Sequence, residues 1–335
     1  MSNQIYEQNL FNAEQKNMFL KDLSSNTYTA YLRILTRAAK LEEQFEKDLY
    51  DFNIYEIERL IFYINPKTLS SVTSAVSIIQ NYIRWAIAQD LRKDNLNPLD
   101  AIAGLKFYKK FIDTSNKLLF SSSEIEEITG GLVNYQDSAI VQAIFEGVNG
   151  KKYSEILNLT IHDIDEKNNE LLLKNDINDF KQQERKLKVS PELIKMLIKA
   201  SQETEYYKNN GHPSENILSK IAPLCESHFV FRNSRLNTKE TDRADYHLIF
   251  RRLSKIAEWN GQPYLNGMNI RKSGMIYMAN VLYRESGKLE NEEIHRICEA
   301  FNFSKIKGRD DYNTTRIRAE FLNLDNIFEI YGKKE

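Results

Sequence analysis

The chain has 335 residues, 41% of them hydrophobic and 28% charged, which fits a soluble globular protein of two domains and argues against a membrane-spanning or disordered chain. Its net charge is −1 at pH 7, so the overall balance lacks the basic excess that many DNA-binding domains carry. Cys225 and Cys298 stand far apart, which argues against a disulfide framework or zinc site and favours a reducing cytoplasm, and the polar start from Met1 to Leu20 has no secretory signal.

The first part of the chain is predicted to form a compact helical domain. Residues 24–26 can cap a helix whose apolar residues recur at three- and four-residue spacing. A second pattern runs from Ile54 to Ile64 and stops at Asn65–Pro66, because the residue before a proline disfavours the helical region. The strongest pattern follows Ser71, and its apolar face carries Val72, Val76, Ile79, Ile83 and Ile87. These elements, closed by Asn97–Pro98, predict an all-α domain over residues 1–108.

Residues 109–122 are basic, aromatic and then serine-rich, which predicts an interdomain linker before a second domain over residues 123–335. Glu170–Leu173 and Lys186–Val189, separated by a polar turn, predict a β-hairpin. Further helices are predicted near residues 124–128, 140–145, 191–203, 244–259, 273–284 and 290–300. The predicted fold class is therefore mainly α with a small β-sheet, in two domains.

Short segments across residues 20–320 resemble the tyrosine recombinase (phage integrase) family. In chain order they are Thr27-x-x-x-Tyr31, Trp85–Ala86, Asn97–Pro98, Phe120–Ile125, Gly147–Asp165, Phe229–Phe231 and Arg251–Leu253. Each fragment is weak by itself, and their order and spacing carry the resemblance. It implies a helical core-binding domain followed by an α+β catalytic-like domain, with Phe229–Phe231 in a strand, the two domains closing around a DNA duplex.

In that family a tyrosine attacks a DNA phosphate without a metal ion, and arginines, a lysine and histidines stabilise the transition state. The resemblance places these residues at the family's positions: Lys152 at the first arginine, Lys181 (or Lys174) at the hairpin lysine, Met268 at the histidine of His-x-x-Arg, Arg271 at its arginine, Phe303 at the later histidine or tryptophan, and Tyr312 at the tyrosine. Met268 and Phe303 cannot exchange a proton, and a lysine lacks the planar fork of an arginine. The set predicts phosphate binding without strand cleavage, with no intact catalytic residue, no metal and no cofactor.

The candidate DNA contacts combine these positions with neighbouring polar residues. They are Lys152, Lys181, Arg185, Arg251, Arg271, Lys272 and Tyr312 in the second domain, and Ser74, Asn81 and Arg84 on the polar side of the 72–87 helix. Neither half of the chain is basic, with 14 Lys and Arg against 13 Asp and Glu in residues 1–110 and 32 against 34 beyond. Phosphate attraction would therefore need basic residues clustered on one face. A solvated surface explains the hairpin lysines and the Arg271–Lys272 pair almost as well, and Tyr312 can be a relic.

The two-domain layout with a depleted active site resembles the integrase-like master repressors of SPβ-type Bacillus prophages. This resemblance implies a sequence-specific binder of double-stranded operator DNA that represses transcription and maintains lysogeny, in the cytoplasm and nucleoid of a bacterial host and away from membranes. A divergent active recombinase that performs strand exchange is the alternative, and an accessory factor docking on an integrase is a third. The segment after Tyr312 can associate with a second copy or fold back on its own domain. A protein antirepressor is the expected releasing partner.

Overall fold

The computed structural model describes residues 10–66, 68–112, 117–178, 181–212, 219–235 and 243–333. The chain divides into two compact units, Met1–Ser115 and Asn116–Glu335. Helices dominate both units, and the described strands form one three-stranded and one two-stranded antiparallel sheet, both in the second unit. The predicted fold class, mainly α with a small sheet, is confirmed.

The first unit is built from helices and a short 3-10 turn. They are α1 (Ala13–Leu20), α2 (Ser25–Phe45), the turn Leu49–Asp51, α3 (Ile54–Ile64), α4 (Leu69–Ala88) and α5 (Leu105–Lys109). Helix α3 begins with a capping box between Asn53 and Glu56 and ends where Asn65 adopts a left-handed backbone. The apolar spacing of the sequence does not indicate α1, because one of its two buried residues is Lys16.

Lys16 belongs to a buried charge cluster that joins three helices of the first unit. Its Nζ lies 2.7 Å from Oε1 of Glu42 and 3.2 Å from Oδ2 of Asp48, and all three side chains are at most 1% exposed. The Tyr82 hydroxyl donates to the other oxygen of Asp48 at 3.0 Å. One ammonium thus faces two buried carboxylates. Burial, opposed by Lys16, raises the pKa of Glu42 to about 7.

Glu42→Gln is expected to remove a pH dependence from the stability of the first unit. Because the folded-state pKa of about 7 lies above the ordinary 4.5, the folded chain keeps a proton that the unfolded chain has lost. This stabilisation is complete below pH 4.5 and is lost as the pH rises through about 7. Urea unfolding of the full chain should give a wild-type free energy that falls by at most about 1.4 kcal/mol per pH unit in this window, relative to the variant. Parallel curves for the two proteins would contradict the buried protonation.

The second unit surrounds its sheets with helices. The helices are α6 (Ser122–Gly130), α7 (Tyr135–Phe145), α8 (Ser154–Leu157), α9 (Pro191–Gln202), α10 (Tyr246–Trp259), α11 (Gly267–Ser286), α12 (Asn291–Ala300), α13 (Thr315–Glu320) and α14 (Leu324–Tyr331). The strands are β1 (Ile164–Asp165), β2 (Glu170–Asn178), β3 (Lys181–Lys188), β4 (Glu205–Tyr207) and β5 (Ile221–Pro223). The order is β1-β2-β3 in one sheet and β4-β5 in the other.

The β2–β3 hairpin is longer than the sequence predicts. Residues 174–178 and 181–185, which read as a polar turn, continue the ladder, with Lys174 opposite Glu184. Antiparallel pairing depends on backbone groups, so polar side chains can continue a hairpin beyond the part that rests on the core. The strand expected at Phe229–Phe231 is reduced to a single bridge between Phe229 and Thr160.

Helix α11, which carries the candidate site residues Met268, Arg271 and Lys272, crosses the buried helix α7 at very close range. A Cβ on Gly274 would lie 1.7 Å from the carbonyl oxygen of Phe145, so only glycine permits this approach. The start of α11 is equally close to Tyr153, whose hydroxyl would lie 2.0 Å from a Cβ on Gly267. These two glycines therefore set the position of α11 against α7 and against the turn that precedes α8.

The two ends of the predicted linker lie in the cores of the two units. Phe111 is buried among the helices of the first unit, and Phe120 is buried in the second. The C-terminal segment folds back on its own unit, where the Tyr331 hydroxyl accepts a hydrogen bond from the backbone N–H of Ser122 at 3.0 Å. This is the intramolecular one of the two alternatives, and exchange with a second copy stays a prediction.

Candidate nucleic-acid interface

Lys152 lies on a 3-10 turn, Lys151–Tyr153, directly before α8. Lys152 and Tyr153 both adopt left-handed backbone angles, with φ of 52° and 60°, which are strained for residues that carry a Cβ. The Lys152 Nζ lies 4.9 Å from the ring centre of Tyr246, the first residue of α10, which is a cation–π distance. The turn and this ring together direct an exposed ammonium into a cleft.

This cleft, of about 700 Å³, is formed by the Lys151–Tyr153 turn, the tip of the β2–β3 hairpin and the start of α10. Four cationic side chains and two carboxylates line it, which gives it a local positive balance. They are Lys151, Lys152, Lys181 and Arg243 against Asp176 and Asp245. A concave surface of this charge attracts phosphates even though the whole chain carries a net charge of −1.

Of the two candidate hairpin lysines, Lys181 is the one that lines the cleft. It is exposed at the first position of β3. Lys174 is instead tied to Asp163, with Nζ 2.6 Å from the Oδ1 of a carboxylate that is only 5% exposed. The structure therefore places Lys181 together with Lys152, whereas Lys174 pairs with Asp163 and is not among the residues that line the cleft.

Arg185 has a structural role in place of the predicted DNA contact. Its Nε and Nη2 donate to the two carboxylate oxygens of Glu155 at 2.7 and 2.8 Å, and Glu155 is fully buried. The same guanidinium donates to the carbonyl oxygens of Gly147 and Ala300, each at 2.8 Å. Asn302 adds a further hydrogen bond to Glu155 at 2.8 Å. A buried carboxylate needs a paired cation, so the charge of Arg185 stabilises the fold by neutralising Glu155.

Arg271, on α11, is also held inside the second unit. One of its terminal nitrogens donates to the carbonyl oxygen of Phe301, and the Phe303 ring centre lies 4.5 Å from its guanidinium carbon. Burial lowers the pKa of Arg271, with Glu155 acting in the opposite direction. Phe303 thus reaches the position near Arg271 that the resemblance predicts, and it covers a face of the guanidinium without donating a hydrogen bond.

Met268 stands one helical turn before Arg271 and is 67% exposed. It lines an apolar cavity of about 760 Å³ with Tyr153, Phe250 and Leu265. Tyr153 lies close enough to Arg271 for that charge to oppose the effect of burial, which raises the pKa of the phenol. Tyr153 therefore links the region of Met268 to that of Arg271 and Phe303, beside the turn that carries Lys152.

Apolar residues of α11, α12 and the C-terminal segment form a buried cluster, and Tyr312 and Phe303 both pack against it. Its ring lies 5.4 Å from the His295 ring, and His295 Nε2 lies 2.9 Å from Oδ1 of Asp311. Burial raises the pKa of the Tyr312 phenol, so it is protonated at neutral pH. Within the part of the chain that the structure describes, no hydrogen bond or ring contact joins Tyr312 to Lys152 or Arg271.

The remaining basic candidates of the second unit differ in where they point. Lys272 turns toward the C-terminal segment, with Nζ 3.8 Å from Oε2 of Glu320 and 5.0 Å from the Phe321 ring centre. Burial lowers the pKa of Lys272, as expected for a cation among apolar neighbours. Arg251 is exposed on α10. Of this pair, only Arg251 has the open position that a contact with DNA requires.

The candidates of the first unit lie on the outer side of α4, as the apolar pattern predicts. Ser74 and Arg84 are exposed, and Asn81 is half-buried. Asn81 donates to the Tyr31 hydroxyl at 2.8 Å, and Arg84 forms an exposed ion pair with Asp100 at 2.7 Å. An exposed pair contributes little stability, so Arg84 can exchange Asp100 for a phosphate at low cost.

Sequence reasoning missed the partners that connect these residues. Arg243 and Asp176 face each other in the cleft although 67 positions separate them, and Glu155 lies 147 positions from Asn302. A local pattern cannot pair residues at such separations. The signals in the sequence were weak: a basic residue directly before the predicted 244–259 helix, and Asp176 as one of several acidic residues in a hairpin that also carries lysines and an arginine.

Comparison with known proteins agrees with this architecture. The crystal structure of a lambda integrase tetramer bound to a Holliday junction superposes with a TM-score of 0.50 at 10% sequence identity, over 97% of this chain and 80% of that one. The crystal structure of XerA recombinase aligns over 95% of this chain and 97% of that one, with a TM-score of 0.41 at 16% identity. The fold is that of the tyrosine recombinases, which confirms the predicted scaffold.

Two family descriptions cover most of the sequence. Residues 10–89 match "MrpR, N-terminal core-binding domain", and residues 119–332 match "MrpR, C-terminal catalytic domain". The chain is also 31% identical to the SPbeta prophage-derived uncharacterized protein YopR of Bacillus subtilis (strain 168), over 97% of this chain and 98% of that protein. The chain belongs to the MrpR family.

Within the described ranges, the helices are too short or too polar to cross a membrane. Among the same residues, histidine, cysteine, aspartate and glutamate side chains do not gather in groups of three that could bind a metal ion.

Proposed function

We propose that this protein is a sequence-specific binder of double-stranded DNA that acts as a prophage transcriptional repressor, maintains lysogeny and does not exchange DNA strands. One observation supports the proposal most directly: Lys152 and Lys181 line one cationic cleft. The resemblance, in addition, aligns Met268 and Phe303 with the family's acid–base positions. Cations hold a phosphate, and proton donors are needed in addition to break its ester bond.

The size of the chemical loss supports binding without cleavage. A general acid or base contributes about 10²–10⁴ in rate, and one oxyanion donor about 10²–10³. The thioether of Met268 and the phenyl ring of Phe303 supply neither, and such losses are not simply additive. Burial raises the pKa of the Tyr312 phenol, which opposes formation of the tyrosinate nucleophile.

The DNA contacts follow from exposure and charge. In the second unit Lys152, Lys181 and Arg251 would meet the backbone, while Arg185, Arg271 and Lys272 stabilise the fold. In the first unit Ser74 and Arg84 are the exposed contacts on α4, with Asn81 beside them. Phosphate contacts would set the register on the duplex, and base-edge contacts would select operator sites on the host nucleoid.

Repression also implies assembly on DNA and release from it. Exchange of α14 between two copies would require the bond from Ser122 to the Tyr331 hydroxyl to break and re-form between chains. A protein antirepressor that covers the DNA-facing residues would release the operator. A second copy of this chain and a protein antirepressor are therefore the proposed protein partners.

The Tyr312→Phe variant is expected to lose at most about tenfold in DNA affinity, because the phenol makes no more than one hydrogen bond to a phosphate and such a bond contributes about 1.5 kcal/mol. Affinity should be measured by gel shift on duplexes that the wild-type chain selects from a random-sequence library. The same duplexes, nicked as suicide substrates, are expected to yield no covalent adduct with either protein. Binding of the wild type to no duplex would overturn the proposal.

A divergent active recombinase is the second candidate, and the environment of Tyr312 favours it. His295 lies against the Tyr312 ring and pairs with Asp311. Its imidazole is the candidate proton acceptor in a chain where other residues replace the family's own histidines. An adduct formed by the wild type and absent from Tyr312→Phe would establish this candidate. Its loss in His295→Gln as well would identify the base.

A further inference from the structure

Arg243 and Asp176 form an ion pair inside the cationic cleft, and the proposed function does not use either residue. The Arg243 Nη1 lies 2.6 Å from Oδ2 of Asp176 and also donates to Oδ1 of Asn158. Both side chains line the cleft and are partly exposed, Arg243 at 38% and Asp176 at 27%. Lys152 and Lys181 line the same space.

The state of Asp176 makes it a competitor for the cations of the cleft. Although burial acts to raise it, the hydrogen bonds from Arg243, Gln182 and Asn158 hold the pKa of Asp176 below its usual value. Asp176 is therefore ionised at neutral pH and neutralises Arg243 when DNA is absent. An ion pair this exposed contributes little to stability, so a phosphate can replace the carboxylate without cost to the fold.

Arg243 also supplies a geometry that the rest of the cleft lacks. A guanidinium grips two phosphate oxygens at once, whereas an ammonium acts as a single point of charge. Among the described residues that line the cleft, Arg243 is the only arginine. Arg271 is bound to the Phe301 carbonyl and covered by Phe303.

We propose that Arg243 is a phosphate-binding residue for duplex DNA, masked by Asp176 in the free protein and transferred to the DNA backbone on binding. This inference rests on the proposed function. Arg243 would supply the bidentate phosphate contact of this chain, and Asp176 would lower the affinity of the protein for any duplex. Because a phosphate contact reads no sequence, the effect should be equal on operator and on unrelated DNA.

The test uses the full-length chain and a mixed-sequence DNA duplex, with fluorescence anisotropy at several salt concentrations. Arg243→Gln should weaken binding about tenfold and flatten the plot of log affinity against log salt by about 1. Asp176→Asn keeps hydrogen-bonding groups but removes the competing charge, and it should strengthen binding several-fold. A purely structural role for the pair predicts weakening in both variants. Arg243→Lys should keep the salt slope of the wild type and lose only part of the affinity.

The matched control is the Lys186–Glu170 pair, which lies on the same hairpin and outside the cleft, at 2.8 Å. Lys186→Gln and Glu170→Gln make the same charge changes and should leave the salt slope at its wild-type value. Tighter binding by Asp176→Asn, together with weaker binding by Arg243→Gln, supports the inference. Wild-type affinity in either variant overturns it while the proposed function stands. If the wild type binds no duplex at all, the proposed function has failed first.

Discussion

Replacing Lys152 and Lys181 together with glutamine is expected to weaken DNA binding by about a hundredfold, since each charged hydrogen bond to a phosphate contributes about 1.5 kcal/mol or more. Both ammonium groups line the same cleft, so both should release counterions from the DNA. The slope of log affinity against log salt should therefore become shallower by about 2. Fluorescence anisotropy on a mixed-sequence duplex measures both quantities.

The control for this prediction is the double variant Lys186→Gln and Lys188→Gln. It removes the same charge from exposed positions of the same strand, outside the cleft. If the control variant loses as much affinity as the Lys152 and Lys181 variant, DNA responds to total charge, and the cleft has no special part in binding. Unchanged binding by the cleft variant would remove the main support for the proposed interface.

The Arg185→Met variant is expected to lose about 3–5 kcal/mol of the free energy of unfolding, because it leaves a fully buried carboxylate without its cation. The arginine also joins β3 to the carbonyl groups of Gly147 and Ala300. Its loss should loosen the packing of the hairpin and α12 around Glu155. Urea unfolding of the second unit, followed by tryptophan fluorescence from Trp259 in α10, measures the change.

Two comparisons separate this structural role from a DNA contact. The double variant Arg185→Met with Glu155→Gln removes the buried charge as well and should regain part of the lost stability. Arg251→Met, at an exposed site on α10, should unfold like the wild type. An Arg185→Met protein of unchanged stability but weaker, less salt-dependent DNA binding would instead support the contact that the sequence suggests.

Much of the fold follows from local patterns that the sequence contains. The helix from Leu69 to Ala88 presents its apolar residues at helical spacing, and Asn65 before Pro66 ends the preceding helix. Helix α1 gives no such signal, because Lys16 is buried by its two carboxylate partners rather than by apolar character. The extra length of the β2–β3 hairpin also has no apolar signal, since backbone pairing carries it through polar residues.

The sequence alone predicted only part of the candidate site. The resemblance gave the positions of Lys152, Met268, Arg271 and Phe303, and the structure brings the region of these positions together. It did not give their exposure. Whether an arginine faces a phosphate or a buried carboxylate depends on which residue lies opposite, and for Arg185 that residue is 30 positions away.

The sequence by itself determined the scaffold, and it predicts a depleted active site, because a methionine and a phenylalanine cannot transfer protons. Only the tertiary structure decided which basic residues line the open cleft and which pair with a buried carboxylate. It places Lys181 and Arg243 beside Lys152 in an open cleft, and it buries the guanidinium of Arg185 against Glu155. The reason is electrostatic: a buried carboxylate must be neutralised where the chain folds around it, and which arginine does so depends on contacts between distant segments.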